Sequence, residues 1–332
     1  MRIGIVIIRA ANMDATWTTI DLACAALRRG HQVRFIERTD FEIDRSAHLV
    51  ARAHLFEPPD PGPDAMIASL CDRTAPRRSI DLQKLDLLLL RVAPLDPAVI
   101  HFATLARDRG VPVTNDPEGI VRVSNKAWLA AQPGIPTPPT LVTRSAGTAG
   151  IFHSQSQFGV IVKPARGSGG RAVTLVPRHA QAELVRAFEA AKATGDGYVV
   201  LQAYLPDAEK GEKRLVWLDG EIIGGYLRRR APGEFRHNLK RGGTAAPALI
   251  TDEERNLALQ LSPLLVEAGI RIAGLDVIGG RITEVNALNP GGTFHSDRVS
   301  GSRLAERIVE RLESTVGVRD LAEIDTWAHP AP

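Results

Sequence analysis

The sequence predicts an α/β fold: an N-terminal open parallel-sheet domain followed by a two-lobed α+β region. Three observations point there. Met1 to Ile36 read as strand, amphipathic helix, strand, the opening of a parallel sheet. Proline interrupts the chain four times between Pro133 and Pro139, a stiff connector few helices or central strands could cross. Beyond it, strand pairs joined at glycine turns alternate with single helices.

Taken in order, Ile3 to Ile8 is a buried strand, stopped by Arg9 and too short for a signal-peptide core or a membrane span. Ile20, Ala23, Cys24 and Leu27 fall at i, i+3, i+4 and i+7, with Gly30 as a stop, so a helix carries Cys24 as core packing. His31 to Ile36 is a second strand. Residues 41–80 give no firm assignment: Ala47 to Phe56 could form a hairpin, and the prolines from Pro58 to Pro63 forbid regular structure. Leu85 to Leu90 reads as a central strand, Ala98 to Asp108 as a helix ended by Gly110, and Val111 to Val113 as a short strand.

Past Ser124 a short helix runs through Ala131. Strands follow at Gly159 to Lys163, Ala172 to Val176 and Tyr198 to Ala203, with a helix over Ala180 to Ala193. Asp219-Gly220 predicts a hairpin turn, and Thr251 with Glu254 a capping box on a helix that Pro263 should kink. The expected domains are therefore 1–122, a small lobe 123–203 with a glycine-rich loop, a large lobe 204–315, and a tail 316–332.

Composition excludes several classes. Of 332 residues, 44% are hydrophobic and 24% charged, which rules out wholesale disorder, and the net charge of +3 argues against a nucleic-acid partner. Two cysteines cannot make a disulfide framework or a four-ligand zinc site, which points to a cytoplasmic address. No run approaches the roughly 18 apolar residues of a membrane helix.

Three segments carry chemistry. Lys163-Pro164-Ala165-Arg166-Gly167-Ser168-Gly169-Gly170-Arg171 is a strand entering a glycine-rich turn with three cations; it reads either as a tight hairpin or as an anion cradle, and matches neither a P-loop nor a dinucleotide fingerprint. Gly274 to Asn286 reads as a hairpin. A three-residue loop centred on Gly280 would pair Asp276 with Glu284 and put Asn286 on the same face. Like charges so placed want a cation between them, and oxygen donors suit Mg²⁺ shared with nucleotide phosphates, Mn²⁺ being an alternative; pairing with nearby arginines is the other reading. Arg228 to Gly243 packs six cations into sixteen residues with Pro and Gly breaks, either a solvated loop or a binder of anions.

The order of these segments, with Gln202-Ala203-Tyr204-Leu205-Pro206, Lys213-Arg214-Leu215-Val216 and Arg236-His237-Asn238-Leu239, resembles the ATP-grasp superfamily, specifically the bacterial glutathione synthetase type. The resemblance spans nearly the whole chain. It implies that Lys126 and Lys163 hold ATP phosphates under a mobile loop of Gly167, Ser168, Gly169 and Gly170, and that Gln202, Tyr204 and Leu205 flank the adenine. It implies Asp276, Glu284 and Asn286 as Mg²⁺ ligands, and Arg214, Arg236 and Asn238 as catalytic groups around the transferring phosphoryl. Arg91 resembles a residue that binds the peptide substrate; the bland alternative is a strand-end cap paired with Asp96.

The chain departs from that family where substrate should bind. Asn286 leads into Ala287-Leu288-Asn289-Pro290-Gly291-Gly292-Thr293 where the family has a Ser-Pro-Thr type sequence, and Val92-Ala93-Pro94 follows Arg91 where the family tends to have Lys-Asp-Pro. Asn289, Gly291, Gly292 and Thr293 are expected to bind the acid or amine through close backbone N–H groups and a hydroxyl. The implied function is ATP-dependent amide formation through an acyl phosphate, most simply from γ-glutamylcysteine and glycine. The alternatives are a ligase for another acid and amine, or a nucleotide-binding regulator without turnover. Small-molecule substrates and a homo-oligomer are expected, with no nucleic acid or membrane partner. His237 and His295 are tempting bases.

Overall fold

The computed structural model describes residues 1–167 and 169–325. They form two compact units: Met1–Glu118 together with the segment from Gly301, and Gly119–Ser300. Among the described residues no helix is long and apolar enough to cross a membrane.

The first unit holds β1 (Arg2–Ile7), β2 (Gln32–Ile43), β3 (Leu49–Phe56), β4 (Arg77–Asp81), β5 (Leu87–Leu90) and β6 (Val113–Thr114), with helices α1 (Thr18–Arg28), α2 (Pro63–Cys71) and α3 (Pro97–Asp108). The strand order is β4-β3-β2-β1-β5-β6. β2, β1, β5 and β6 are parallel, and β3 pairs antiparallel with both β2 and β4, so the parallel sheet carries a mixed edge in the 41–80 stretch that had no firm assignment. Chain length explains it: only residues 44–48 separate β2 from β3, far short of a parallel crossover. Asp44 closes the turn by accepting from the backbone N–H groups of Ser46 and His48.

The stripe on α1 is buried as its spacing predicts, and Cys24 with it. Burial foremost, then Asp60, pushes that thiol up to about 12, so Cys24 stays protonated as a core residue.

His54 on β3 is 3% exposed, and neither ring nitrogen has a hydrogen-bond partner. Burial foremost and the cations Arg77 and Arg73 lower its pKa, against the opposite pull of Glu37 and Asp40. Below about 6.5 the unfolded chain takes up a proton that the folded chain refuses, so stability falls as pH drops through that value and is unaffected above it. His54→Leu should flatten the acid limb of Tm against pH. Equal slopes for variant and wild type between pH 7 and pH 5 would contradict this.

The second unit begins within α4 (Pro117–Val123) and continues with α5 (Lys126–Ala130), the latter capped by the Asn125 side chain accepting from Ala127 N at 2.9 Å. Its first sheet, β7 (Thr140–Thr143), β8 (Val160–Pro164), β9 (Thr174–Val176) and β10 (Val199–Ala203), has the antiparallel order β7-β10-β8-β9. α6 (Ala146–Gln155) and α7 (Gln181–Thr194) cover it; Phe188 and Leu184 of α7 pack on Val160, Val162 and Leu201.

The second sheet of this unit is β13-β12-β11-β14-β15, built from β11 (Glu212–Leu218), β12 (Glu221–Arg229), β13 (Thr244–Pro247), β14 (Ile272–Ile278) and β15 (Arg281–Asn286). β11 and β12 turn at Asp219-Gly220, where φ is +44° and +104°. α8 (Asp252–Glu267) carries both bonds of the Thr251–Glu254 capping box and runs on through Pro263 as one helix. Trp217 of β11, fully buried, donates its indole N–H to Ser262 of α8 at 2.9 Å, which joins helix to sheet without an unsatisfied polar atom. α9 (Thr293–Ser300) follows the last strand.

The β14–β15 hairpin corrects the expected three-residue loop while keeping its purpose. Ile278 pairs with Arg281 across a two-residue Gly279-Gly280 turn with φ of +53° and +68°, the conformation glycine adopts freely and strand twist favours. The extra residue is instead a bulge in β15 at Thr283, beyond which Asp276 pairs with Glu284 and Gly274 with Asn286. All three expected ligands thus share a face.

α10 (Leu304–Asp325) belongs with the first unit, whereas the sequence placed residues through 315 in the large lobe. Leu304, Ile308, Val309 and Leu312 make its buried stripe, α10 packs on α1, and Glu306 and Glu313 pair with Arg28 and Arg29 there.

Candidate active site

The second unit contains an open cleft lined by residues of both its sheets. Its floor is set by strand register. Arg214 of β11 lies directly opposite Asp276 of β14, and Glu212, two residues earlier on the same face, lies opposite Arg228 of β12. Arg214 makes a bidentate pair with Asp276, Nε to Oδ1 at 2.6 Å and Nη2 to Oδ2 at 2.9 Å. Arg228 Nη1 is 3.3 Å from Asp276 Oδ1 and donates to Glu212 Oε2 at 3.1 Å. Asn286 Nδ2 donates to Asp276 Oδ2 at 3.2 Å. Burial would raise the Asp276 pKa, but Arg214 and Arg228 more than offset it and hold the carboxyl below the usual range. Glu212 goes the other way, pushed up by burial and by Asp276.

One wall comes from the small-lobe sheet. Lys163, next to last in β8, is 6% exposed, and its Nζ donates to Gln202 Oε1 on β10 at 3.0 Å and to the bulged Thr283 carbonyl at 3.3 Å. Burial lowers its pKa while Glu284 opposes the shift. Lys126, first residue of α5, donates to the Gly167 carbonyl at 2.9 Å and stands 3.8 Å from Glu284 Oε1. Gly167, Gly169 and Gly170 have φ of +148°, +70° and +71° and line the cleft; Ser168 lies outside the described residues. Gln202, Tyr204 and Leu205 continue the wall where β10 ends.

Above the floor, the loop between β12 and β13 brings Arg236, His237 and Asn238 to the cleft. Arg236 Nη1 donates to the Gly170 carbonyl at 3.3 Å. His237 is buried, with Nε2 at 2.8 Å from the Ala208 carbonyl, and burial lowers its pKa. That bond anchors the loop, and a ring nitrogen spent on it is not a proton acceptor for substrate.

The expected residues Lys126, Lys163, Gly167, Gly169, Gly170, Gln202, Tyr204, Leu205, Arg214, Arg236, Asn238, Asp276, Glu284 and Asn286 therefore line one cleft. Glu212 and Arg228 line it too and were missed by sequence reasoning. The signal for Glu212 was the period of two from Arg214, whereas a bulge at Ile223 hid Arg228, because a ladder counted from the Asp219-Gly220 turn pairs Glu212 with Leu227.

The substrate candidates stand outside this lining among the described residues. Arg91 follows β5 in the first unit, buried, with Nε donating to Thr19 Oγ1 at 3.2 Å; burial lowers its pKa. It is not paired with Asp96, which caps α3 and faces Arg38 at 3.3 Å. Asn289, Gly291, Gly292 and Thr293 link β15 to α9. The Gly291 carbonyl accepts from Arg214 Nη1 at 3.2 Å, Gly292 has φ of +137° with Arg214 Cγ at 3.3 Å from where a Cβ would sit, and Asn289 Oδ1 is buried without a hydrogen-bond partner. His295 packs beside Tyr226 with the ring planes tilted by 45° and the centroids 5.5 Å apart.

Among the described residues no three His, Cys, Asp or Glu gather as a ready-made metal cluster. The hairpin nevertheless offers two carboxylates and an amide on one face of the cleft, an all-oxygen set that fits a hard divalent cation completed by phosphate oxygens and water.

Residues 1–121 match the family profile of the prokaryotic glutathione synthetase N-terminal domain, and residues 127–301 that of the prokaryotic glutathione synthetase ATP-grasp domain. The chain belongs to the prokaryotic glutathione synthetase family. A glutathione synthetase of Vibrio cholerae serotype O1 (strain ATCC 39315 / El Tor Inaba N16961) is 32% identical over 270 residues, covering 80% of this chain and 82% of that one. A glutathione synthetase of Thermosynechococcus vestitus (strain NIES-2133 / IAM M-273 / BP-1) is 35% identical over 225 residues, 67% and 70% of the two chains. Among solved structures, D-cycloserine synthetase DcsG superposes with a TM-score of 0.65 at 16% identity, covering 95% of this chain and all of the other. The ATP-grasp ligase PsnB, complexed with minimal precursor, Mg and ADP, gives 0.61 at 15% identity, with 95% and 98% covered. These two share the fold. As a member of this family the chain is an ATP-dependent ligase that joins an acid to an amine.

Proposed function

We propose that this ligase joins γ-glutamylcysteine to glycine through an acyl phosphate, with the cleft of the second unit as its nucleotide and phosphoryl-transfer site. The observation that carries this reading is the gathering of Lys126, Lys163, Arg214, Arg236, Asp276, Glu284 and Asn286 around one cleft. No side chain there is needed as a covalent nucleophile; the work is positioning and charge neutralisation.

Lys126 and Lys163 take ATP phosphate oxygens, with Gly167 to Gly170 closing over them. Lys163 suits this because its buried ammonium is under-compensated until an anion arrives. Gln202 to Leu205 take the adenine. Asp276, Glu284 and Asn286 would hold Mg²⁺, which when bound supplies charge neutralisation on the phosphate oxygens. Arg214, Arg236 and Asn238 meet the oxygens of the transferring phosphoryl and then of the acyl phosphate. Arg228 shares the Asp276 carboxylate and serves the same charge.

Arg91 and the 289–293 loop take the organic substrates. Arg91→Ala should raise the KM for acid or amine about ten- to a hundredfold, the cost of one charge-assisted pair at about 1.5–3 kcal/mol, with the ATP KM nearly unchanged. Unchanged acid and amine KM for both Arg91→Ala and Thr293→Ala would overturn this assignment.

A second reading has support of its own. The Asn289-Pro290-Gly291-Gly292-Thr293 sequence replaces the family's Ser-Pro-Thr type segment and leaves Asn289 Oδ1 buried and unpartnered, which suits a different acid or amine. Product mass from ATP with a matrix of small acids and amines separates the two. Glutathione from γ-glutamylcysteine and glycine supports the first, and an amide only from another pair supports the second.

A further inference from the structure

We propose that Glu234 is the positioning residue for Arg236, and that through it the loop between β12 and β13 is latched to the glycine-rich loop. The inference rests on the reading of Arg236 as a group that meets the transferring phosphoryl. Glu234 itself does not line the cleft, whereas Arg236, Phe235, Asn238 and Gly170 do.

The Glu234 carboxylate grips the guanidinium from one side. Arg236 Nε donates to Oε1 at 2.9 Å and Nη2 to Oε2 at 2.7 Å, the fork-to-fork geometry that fixes a plane as well as a distance. The same Oε1 accepts the backbone N–H groups of Phe235 at 2.9 Å and Arg236 at 3.2 Å, so the carboxylate also shapes the turn that presents the arginine. The hydrogen bond from Arg236 foremost, against a burial cost, holds the Glu234 pKa down at about 2, so the grip is constant over the working pH range. Phe235 adds a second side, its ring centroid 5.0 Å from Arg236 Cζ.

With Nε and Nη2 engaged, Nη1 is the remaining corner of the guanidinium, and it donates to the Gly170 carbonyl at 3.3 Å. The approach of the two loops is close. A Cβ on Gly170 would lie 3.1 Å from Asn238 Oδ1 and 3.5 Å from Arg236 Cδ. A loop containing Pro232, Gly233, Gly242 and Gly243 has little else to hold a long side chain to one rotamer. Glu234 removes that freedom before substrate binds, which is preorganisation of a charge rather than addition of one.

The test is a double-mutant cycle in kcat with Glu234→Gln, Arg236→Ala and both together, with ATP and the best acid and amine pair. Glu234→Gln should lower kcat on the order of tenfold or more with a smaller change in ATP KM, and should cost nothing further in the Arg236→Ala background. Hydrogen exchange supplies a readout apart from turnover. With AMPPNP and Mg²⁺, Gly169 and Gly170 should be less protected in Glu234→Gln than in wild type. Wild-type kcat and protection in Glu234→Gln, or the same loss repeated on top of Arg236→Ala, would overturn the proposal. Wild-type kcat in Arg236→Ala would instead overturn the reading of Arg236 on which it rests.

Discussion

Asp276→Ala should abolish turnover and also destabilise the second unit. Asp276 is 5% exposed and is the common partner of Arg214 and Arg228, so removing its carboxylate strips the buried Arg214 of its paired countercharge and leaves Arg228 with Glu212 alone. Breaking a buried pair from one side costs about 3–5 kcal/mol, because the surviving charge stays desolvated. The stability cost comes from the buried pairing, separately from any role as a metal ligand. Glu284→Ala is the informative contrast. Its side chain is 28% exposed and 3.8 Å from Lys126, so its loss should stop turnover while the melting transition moves little. Melting curves of both variants beside turnover measurements decide the matter; equal stability losses would mean that Asp276 is no more central to packing than Glu284.

Lys163→Met should lower kcat/KM for ATP by about a hundred- to a thousandfold, the usual cost of removing one preorganised charge from a phosphoryl-transfer site. The same variant should fold at least as well as wild type. Methionine keeps the length and apolar stem, and it relieves a desolvated ammonium whose pKa burial already lowers. Gln202 Oε1 and the Thr283 carbonyl lose a donor, which limits the gain. Calorimetric titration with AMPPNP and Mg²⁺ measures the binding part directly, and wild-type affinity in Lys163→Met would remove this lysine from the phosphate site.

The cleft was readable because its residues sit at positions where alternation and turns constrain each other. The demand that Asp276 and Glu284 share a face led to the right cross-strand pair, yet alternation could not say whether the odd residue belongs in the turn or in a bulge. Two glycines at φ > 0 settled the turn at two residues and moved the irregularity to Thr283, whose carbonyl then faces Lys163. Glu212 and Arg228 stayed hidden for a different reason. Each looks like an ordinary surface charge until the β11–β12 register places them opposite one another over a buried aspartate.

The first unit was less legible at its edge. Residues 41–80 mix charges and prolines without a clean period, and only the short turn at Asp44 commits β3 to run antiparallel to β2. Arg91 reads in sequence as a substrate-binding cation or, blandly, as a strand-end cap paired with Asp96; the second fails because Asp96 is spent on the α3 N-terminus and Arg91 turns inward to Thr19. His237 invited a catalytic role by its place between Arg236 and Asn238; its Nε2 is engaged with the Ala208 carbonyl, which anchors the loop.

The central claim, that a substrate carboxylate is activated by phosphoryl transfer in this cleft, is tested most directly by isotope transfer. γ-Glutamylcysteine carrying ¹⁸O in its reacting carboxylate is incubated with the protein, ATP, Mg²⁺ and glycine, or with the acid and amine pair that gives product if this one does not. The expected products are ADP, an amide that has lost one ¹⁸O, and inorganic phosphate that has gained it. Label-free phosphate, or AMP with pyrophosphate in place of ADP, would contradict an acyl-phosphate ligase.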